Sequence, residues 1–182
     1  MNRLLPLNEN WLLSDGNTAD SPEFHKNGIP RENAVSATLP SFTHMYIKDH
    51  VGISWYEKEF ELSDLPSENE IALLCFEQAV FRTEVSVNGE TVGVHLGVED
   101  PFYFDVTSNL KLGTNRITVR TSKPHDVSVD GFTFAEVPTR NQTPHGLTPG
   151  ACYNVSGIDG EVCLKILPRV YIDDLYLHKV AE

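Results

Sequence analysis

The chain has 182 residues, 40% of them hydrophobic and 22% charged, and 26 Asp and Glu outweigh 14 Lys and Arg for a formal charge of −12. This length suits one domain able to bury about 70% of its unfolded surface. The acidic balance excludes a nucleic-acid partner, which needs clustered Lys and Arg, and no apolar run approaches the ~20 residues of a membrane span.

The opening Met1-Asn2-Arg3-Leu4-Leu5-Pro6 has no apolar signal-peptide region. Localisation is cytoplasmic if Met1 is the native start, and periplasmic or secreted if a signal has been removed. The cysteines Cys75, Cys152 and Cys163 show no C-x-x-C spacing for zinc. Cys75 lies in an apolar run and reads as a buried free thiol. Cys152 and Cys163 either pair or, the more ordinary reading, are buried on adjacent strands.

In chain order, Arg3 to Gly16 reads as a short strand with Trp11 buried. Thr18 to Glu32, with Pro22, Gly28 and Pro30, is irregular. Gly52 to Leu62 alternates, with Tyr56, Lys58, Phe60 and Leu62 on one face and Trp55, Glu57, Glu59 and Glu61 on the other. Ile71 to Phe76 is apolar on both faces, as a central strand is.

Val85-Ser86-Val87-Asn88-Gly89-Glu90-Thr91-Val92 is a hairpin around Asn88-Gly89, because both residues tolerate the positive φ of a type I′ turn. A regular register pairs Val87 with Glu90, Ser86 with Thr91, Val85 with Val92 and Thr83 with Val94. It sets all four valines on one face, opposite Glu84, Ser86, Thr91 and Gly93. Phe102 to Val106 is an aromatic strand, Thr107 to Leu110 a helical turn, and Arg116 to Thr121 a strand that buries Ile117 and Val119.

Ser122 to Asp159 loses the pattern, apart from short extended pieces at Val127–Val129 and Phe132–Phe134. A connection this long is often functional, which makes it the first candidate surface. Glu161 to Leu167 and Arg169 to Leu177 close the chain as strands. In the second, the apolar phase slips at Asp173-Asp174, as a β-bulge or a change of sheet would cause. Many short strands with turn signals and no long helix give an all-β fold, an antiparallel β-sandwich.

The ordered run Phe76-Glu77, Val85-x-Val87-Asn88-Gly89, Val92-Gly93-x-His95-x-Gly97 and Pro101-Phe102-x-Phe104-Asp105-Val106-Thr107 resembles the N-terminal sugar-binding domain of family 2 glycoside hydrolases, the β-galactosidase/β-glucuronidase group. The opening with Trp11 and the start Gly52-x-x-Trp55-Tyr56 are similar to it too. The resemblance implies a jelly roll of the galactose-binding-domain-like type spanning 1–182, with residues 1–33 as an N-terminal extension and 122–159 as a long loop region. It also implies that the domain comes from a larger multidomain retaining β-glycosidase. The barrel that carries both catalytic glutamates, and an immunoglobulin-like domain, would be its partners. This chain alone is then non-catalytic and inactive, with carbohydrate bound through the parent enzyme. The alternative is an autonomous carbohydrate-binding module.

Ala151-Cys152-Tyr153-Asn154 through Val162 resembles the family segment that reaches the active site, but Ala151 stands where the family has an acid, so no carboxylate is carried over. Gln78 and Val98-Glu99-Asp100 also depart from the family pattern. The substrate-binding residues implied are Tyr153 and Asn154, with His95, Glu99 and Asp100 from the loop after the hairpin. For His95 the structural role is a hydrogen bond to Pro101 within its loop. Trp55, Tyr56, Phe102, Tyr103, Phe104 and Tyr153 read as packing rather than a sugar-stacking platform. Glu99-Asp100 and Asp173-Asp174 read as solvated turn acids rather than calcium ligands. No Ser-His-Asp order or phosphate loop occurs, and no metal or cofactor is expected.

Overall fold

The computed structural model describes residues 3–17, 21–124, 127–133, 136, 140–141, 152–153, 155–172 and 175–176. Its strands, in chain order, are β1 (Arg3–Pro6), β2 (Trp11–Asp15), β3 (Ala34–Ala37), β4 (Ser41–Phe42), β5 (Gly52–Leu62), β6 (Glu70–Phe76), β7 (Phe81–Val87), β8 (Glu90–Gly97), β9 (Phe102–Asp105), β10 (Gly113–Lys123), β11 (Arg140–Asn141), β12 (Cys152–Tyr153), β13 (Gly157–Ile158) and β14 (Val162–Pro168). Among the described residues the only α-helix is the single turn α1 (Phe24–Asn27).

Strands β3-β2-β5-β10-β7-β8 form one antiparallel sheet and β1-β14-β6-β9 the other. From β5 onward the chain passes back and forth between the two, as in a jelly roll. The faces that meet carry the apolar halves of the alternating strands. Trp11, Leu13, Tyr56, Val85, Ile117 and Val119 come from the larger sheet, and Leu74, Phe76 and Leu164 from the smaller; all are buried. Burying each such side chain contributes about 1.5–3 kcal/mol. Both β1 and β2 are integral strands, one in each sheet.

The polar side of β5 is not left to solvent near its middle. Phe24 and Ile29 pack on Trp55, with the Phe24 and Trp55 rings edge to face at 5.9 Å. Beside them Glu57, 2% exposed, accepts the Ile29 N–H at 2.8 Å and pairs with Arg31 at 2.9 Å. A buried carboxylate needs such partners, and these ones tie residues 24–31 onto the sheet.

Two expectations about the sheets need correction. The Asn88-Gly89 turn forms, with φ of 52° and 90°, and Val87 pairs with Glu90 and Ser86 with Thr91. The register then shifts, and Val85 faces Gly93, Glu84 faces Val94, and Thr83 faces His95. Val92 is the extra residue of a bulge. The cause is Phe104, whose ring lies where a Cβ on Gly93 would be, 2.2 Å from its nearest atom. The bulge turns Gly93 inward to admit that ring, leaves Val92 against the core edge, and sends Val94 outward, 45% exposed.

The second correction is at the C-terminal stretch. Strand β14 ends at Pro168, and Arg169–Ile172 form no strand. Val170, Ile172, Leu175 and Tyr176 are largely exposed. Apolar alternation makes a strand only where a partner strand is on offer. The slip expected at Asp173-Asp174 lies outside the described residues.

In the long connection, Val129 and Phe132 bond to each other in both directions at 3.0 Å around Asp130-Gly131, a small hairpin. Asp130 holds it to the sheet through both terminal nitrogens of Arg120 (2.6 and 2.9 Å) and the Ser122 hydroxyl. Further on, β11 pairs with β12 and β13 with β4. The sandwich therefore has two unlike ends. A turn end carries the connections 63–69, 88–89 and 106–112. A loop end carries 47–51, 77–80, 98–101 and, from the connection after β10, the described stretches 127–133 and 155–161.

Candidate functional site: the loop end of the sandwich

At the loop end the core-facing side of the larger sheet changes from apolar to polar. Asp15, Ser54, Thr121, Thr83 and His95 are successive register partners across β2, β5, β10, β7 and β8. Side chains two apart on a strand share a face, so this row continues the face that buries Leu13, Tyr56, Val119 and Val85. One step further out on the same face stands Lys123.

The hydroxyls of the row are linked. Thr43 Oγ1 lies 2.9 Å from Tyr56 Oη and 3.0 Å from Ser54 Oγ. Ser54 Oγ lies 3.2 Å from Thr121 Oγ1 and 3.2 Å from His50 Nε2, and His50 Nδ1 is 3.7 Å from Asp15 Oδ1. Burial pushes the Tyr56 hydroxyl well above its ordinary pKa and the His50 imidazole below its own, with Asp15 opposing the latter. Asp15, His50 and Ser54 thus form an acid–imidazole–hydroxyl series that reading along the chain did not reveal. It is not a nucleophilic triad, because Ser54 is fully buried in mid-strand and shares its hydroxyl with two threonines. A nucleophile must be open to its substrate.

Segment 155–160 closes this end. Gly157 exchanges backbone hydrogen bonds with Val80, and Gly160 N–H donates to the Gln78 carbonyl. Gly157 has φ of 136°, and a Cβ there would lie 2.8 Å from the Ser41 carbonyl oxygen and 2.9 Å from Tyr56 Oη. Only glycine lets the segment come so close. Next to it, Lys123 is 3% exposed, and its Nζ has no hydrogen-bond partner among the described residues. Burial pushes its pKa down to about 8, with Asp159 pulling the other way.

Of the residues implied by sequence, His95, Glu99 and Asp100 come together here. A Cβ on Gly97 would lie 2.5 Å from His95 Nε2 and 3.1 Å from Asp100 Oδ2, so the two side chains converge over that glycine. Burial lowers the His95 pKa and Asp100 raises it, burial prevailing. The expected hydrogen bond to Pro101 does not form. The His95 ring stacks on Phe102 at 4.0 Å, Phe102 stacks on Phe76 at 4.9 Å, and Nε2 is buried without a partner among the described residues. The register shift at Val92 turned His95 inward onto that aromatic column. Glu99 contributes its carbonyl, which accepts from Gln78 Nε2 at 3.4 Å. Tyr153 pairs through its backbone with Arg140; its side chain and Asn154 lie outside the described residues.

The aromatic residues divide between packing and surface. Trp55 and Tyr56 are buried and Phe102 and Phe104 pack on the core, while Tyr103 is 55% exposed. Tyr103 borders a groove of about 410 Å³ on the outer face of the smaller sheet, with Glu77, Glu161 and Lys165 around it. Among the described residues no three His, Cys, Asp or Glu side chains group as metal ligands. Sequence reading passed over Lys123, although its spacing from Ile117 and Val119 places it on the buried face.

The model of the glycosyl hydrolases family 2 sugar binding domain matches residues 7–168. A β-galactosidase of Thermoanaerobacter pseudethanolicus is 28% identical over 179 residues, covering 95% of this chain and 22% of that protein. A putative β-glucuronidase of Formosa agariphila is 27% identical over 185 residues, covering 97% and 20%. The chain therefore spans about a fifth of the length of these relatives. Among solved structures, an uncultured Clostridium sp. β-glucuronidase superposes with a TM-score of 0.69 at 23% identity, covering 92% of this chain and 29% of that one. The Ruminococcus gnavus β-glucuronidase in complex with D-glucuronic acid gives 0.67 at 25% identity, covering 92% and 30%.

Proposed function

The chain belongs to glycosyl hydrolase family 2 through that family's sugar binding domain, and on this premise we propose that it is the non-catalytic jelly roll of a β-galactosidase- or β-glucuronidase-like enzyme. Hydrolysis of an O-glycosidic bond needs two carboxylates flanking it, one to protonate the leaving oxygen and one to attack. In this proposal a barrel elsewhere in the polypeptide supplies them, and an immunoglobulin-like domain joins it as a second partner. The single observation that carries the reading is a family match along almost the whole chain, against relatives about five times as long.

The loop end is the part proposed to face the substrate. It holds His95 and Asp100 together, buries an amine without a hydrogen-bond partner among the described residues, and receives the 155–160 segment. Tyr153, Asn154 and Glu99 belong to the same proposed surface. The test is turnover of nitrophenyl β-galactoside and β-glucuronide by the purified 182-residue chain. None is expected, and release of nitrophenol by the chain alone overturns the reading.

One observation favours a second reading, an autonomous carbohydrate-binding module. Exposed Tyr103, beside carboxylates and an amine in a groove, is the arrangement that stacks a sugar ring and bonds its hydroxyls. Calorimetric titration of the chain with galactose and glucuronate separates the two readings. Millimolar or tighter binding that Tyr103→Ala abolishes establishes the second, and silence leaves the first.

A further inference from the structure

Cys163 was expected either to pair with Cys152 or to lie buried beside a neighbouring strand. In the structure it faces Cys75 directly across β14 and β6. Two positions along, Glu77 N–H donates to the Glu161 carbonyl at 2.9 Å, and at the other end Arg169 N–H donates to the Asn69 carbonyl. Hydrogen-bonded pairs alternate along an antiparallel ladder, so Cys75 and Cys163 are such a pair, with Cα atoms about 5.5 Å apart. That Cα spacing lies inside the range a disulfide bridges; the Cβ atoms of a hydrogen-bonded pair stand about 5.5 Å apart, so closing the bond draws the two strands together. Cys75 S–H donates to the Leu73 carbonyl at 3.6 Å, and each thiol influences the ionisation of the other.

Neither thiol is sealed in the sandwich core. Both are free and half-buried, on the outer face of the smaller sheet, and both line the groove bordered by Leu4, Pro6, Tyr103 and Lys165. The Lys165 ammonium favours the thiolate at both positions, against burial, which disfavours it and holds Cys75 at about 11.

We propose that Cys75 and Cys163 are a reversible dithiol site that closes to a cross-strand disulfide by exchange with a small-molecule disulfide. Cys75 S–H is engaged by the Leu73 carbonyl, so Cys163 is the first nucleophile. Its thiolate attacks one sulfur of the small disulfide and expels one small thiolate, leaving a mixed disulfide on Cys163. The Cys75 thiolate then attacks that Cys163 sulfur and expels the second small thiolate. The two protein protons end on the two small thiols. In sum, two protein thiols and one disulfide become one protein disulfide and two thiols, with two electrons passed to the small molecule. This site stands apart from the glycosidase reading and does not depend on it.

The test is incubation of the full chain with oxidised glutathione, alkylation of the remaining thiols, and measurement of intact mass and peptide map. The expected product has lost two hydrogens, links Cys75 to Cys163, and returns to the dithiol with dithiothreitol. Cys152→Ser gives the same link. Cys75→Ser stops at one glutathione on Cys163, which shows that the thiol is reachable in a folded chain. The proposal is overturned if the wild-type chain carries only glutathione adducts, if Cys152 is in the link, or if Cys75 and Cys163 remain free.

Discussion

The two ends of the sandwich treat buried polar groups in opposite ways. At the turn end Asn88 is fully used. Its Nδ2 donates to the Asn109 carbonyl at 2.7 Å and to Asn115 Oδ1 at 2.9 Å, and its Oδ1 accepts the Arg116 N–H at 3.0 Å. Asn115 in turn bonds the backbone of Lys111 and Gly113. At the loop end Lys123 Nζ, His95 Nε2 and Thr83 Oγ1 are buried with no partner among the described residues. An unsatisfied buried polar atom costs about 1–3 kcal/mol. Among the described residues the turn end has one such atom beside its satisfied network, Arg116 Nε, so the cost gathers at the loop end, which is kept for something besides stability.

Removing the polar group at each end puts that contrast at risk, and the effects should differ in sign. Asn88→Ala strips the turn of its hydrogen bonds and places a Cβ-bearing residue with no polar side chain at φ of 52°. A loss of about 3 kcal/mol is expected in urea unfolding. A loss below about 1 kcal/mol would mean that the turn end is no scaffold.

Lys123→Met at the loop end should instead stabilise, by about 1–2 kcal/mol at pH 7, by removing a buried charge. The wild-type chain carries a matching pH signature. Its folded pKa of about 8 is below the ordinary 10.5, so between those values the unfolded chain holds the proton and the folded one does not. Stability therefore rises with pH across that window, and the slope disappears in Lys123→Met.

A smaller effect of the same kind appears on the acid side. Burial lowers the pKa of both His50 and His95 below 6.5. As pH falls below 6.5, the unfolded chain takes up these protons before the folded one, so stability should decline. Thermal melts between pH 7 and 5 should show the decline, and His50→Gln with His95→Gln should shrink it.

The smallest change is expected from Asp130→Asn. Burial pushes this carboxyl up, but the hydrogen bonds from Arg120 and Ser122 and the nearby Arg82 charge outweigh it and hold the pKa below its ordinary value. The substitution should speed exchange of the Val129 and Phe132 amides while costing at most about 1 kcal/mol globally. A global loss larger than that would make the small hairpin part of the scaffold.

What could be read along the chain followed the range of the forces. The Asn88-Gly89 turn, the two faces of Gly52–Leu62, buried Trp11 and the apolar Ile71–Phe76 strand are set by neighbours within a few residues, and all are in place. Asp130-Gly131 carries the same local turn signal as Asn88-Gly89 and was legible too, though hidden among prolines. The bulge at Val92 was not, because Phe104 imposes it from another strand. The inward turn of His95 follows from that bulge, so its ring stack was equally out of reach. The facing of Cys75 and Cys163 depends on which distant strands pair. Arg169–Ile172 has the pattern of a strand, but among the described residues no strand runs beside it.

The place of β14 in the smaller sheet has a consequence for how the chain is made. Among the described residues it is the only neighbour of β1 and one of two neighbours of β6, so β1 waits for a strand that is synthesised much later. At ordinary rates of synthesis the stretch from Phe76 to Val162 takes on the order of ten seconds. During that interval β6 presents a bare apolar edge to solvent or to a chaperone. Translation that stalls before Val162 should yield insoluble half-sandwiches, whatever the quality of the turns already formed.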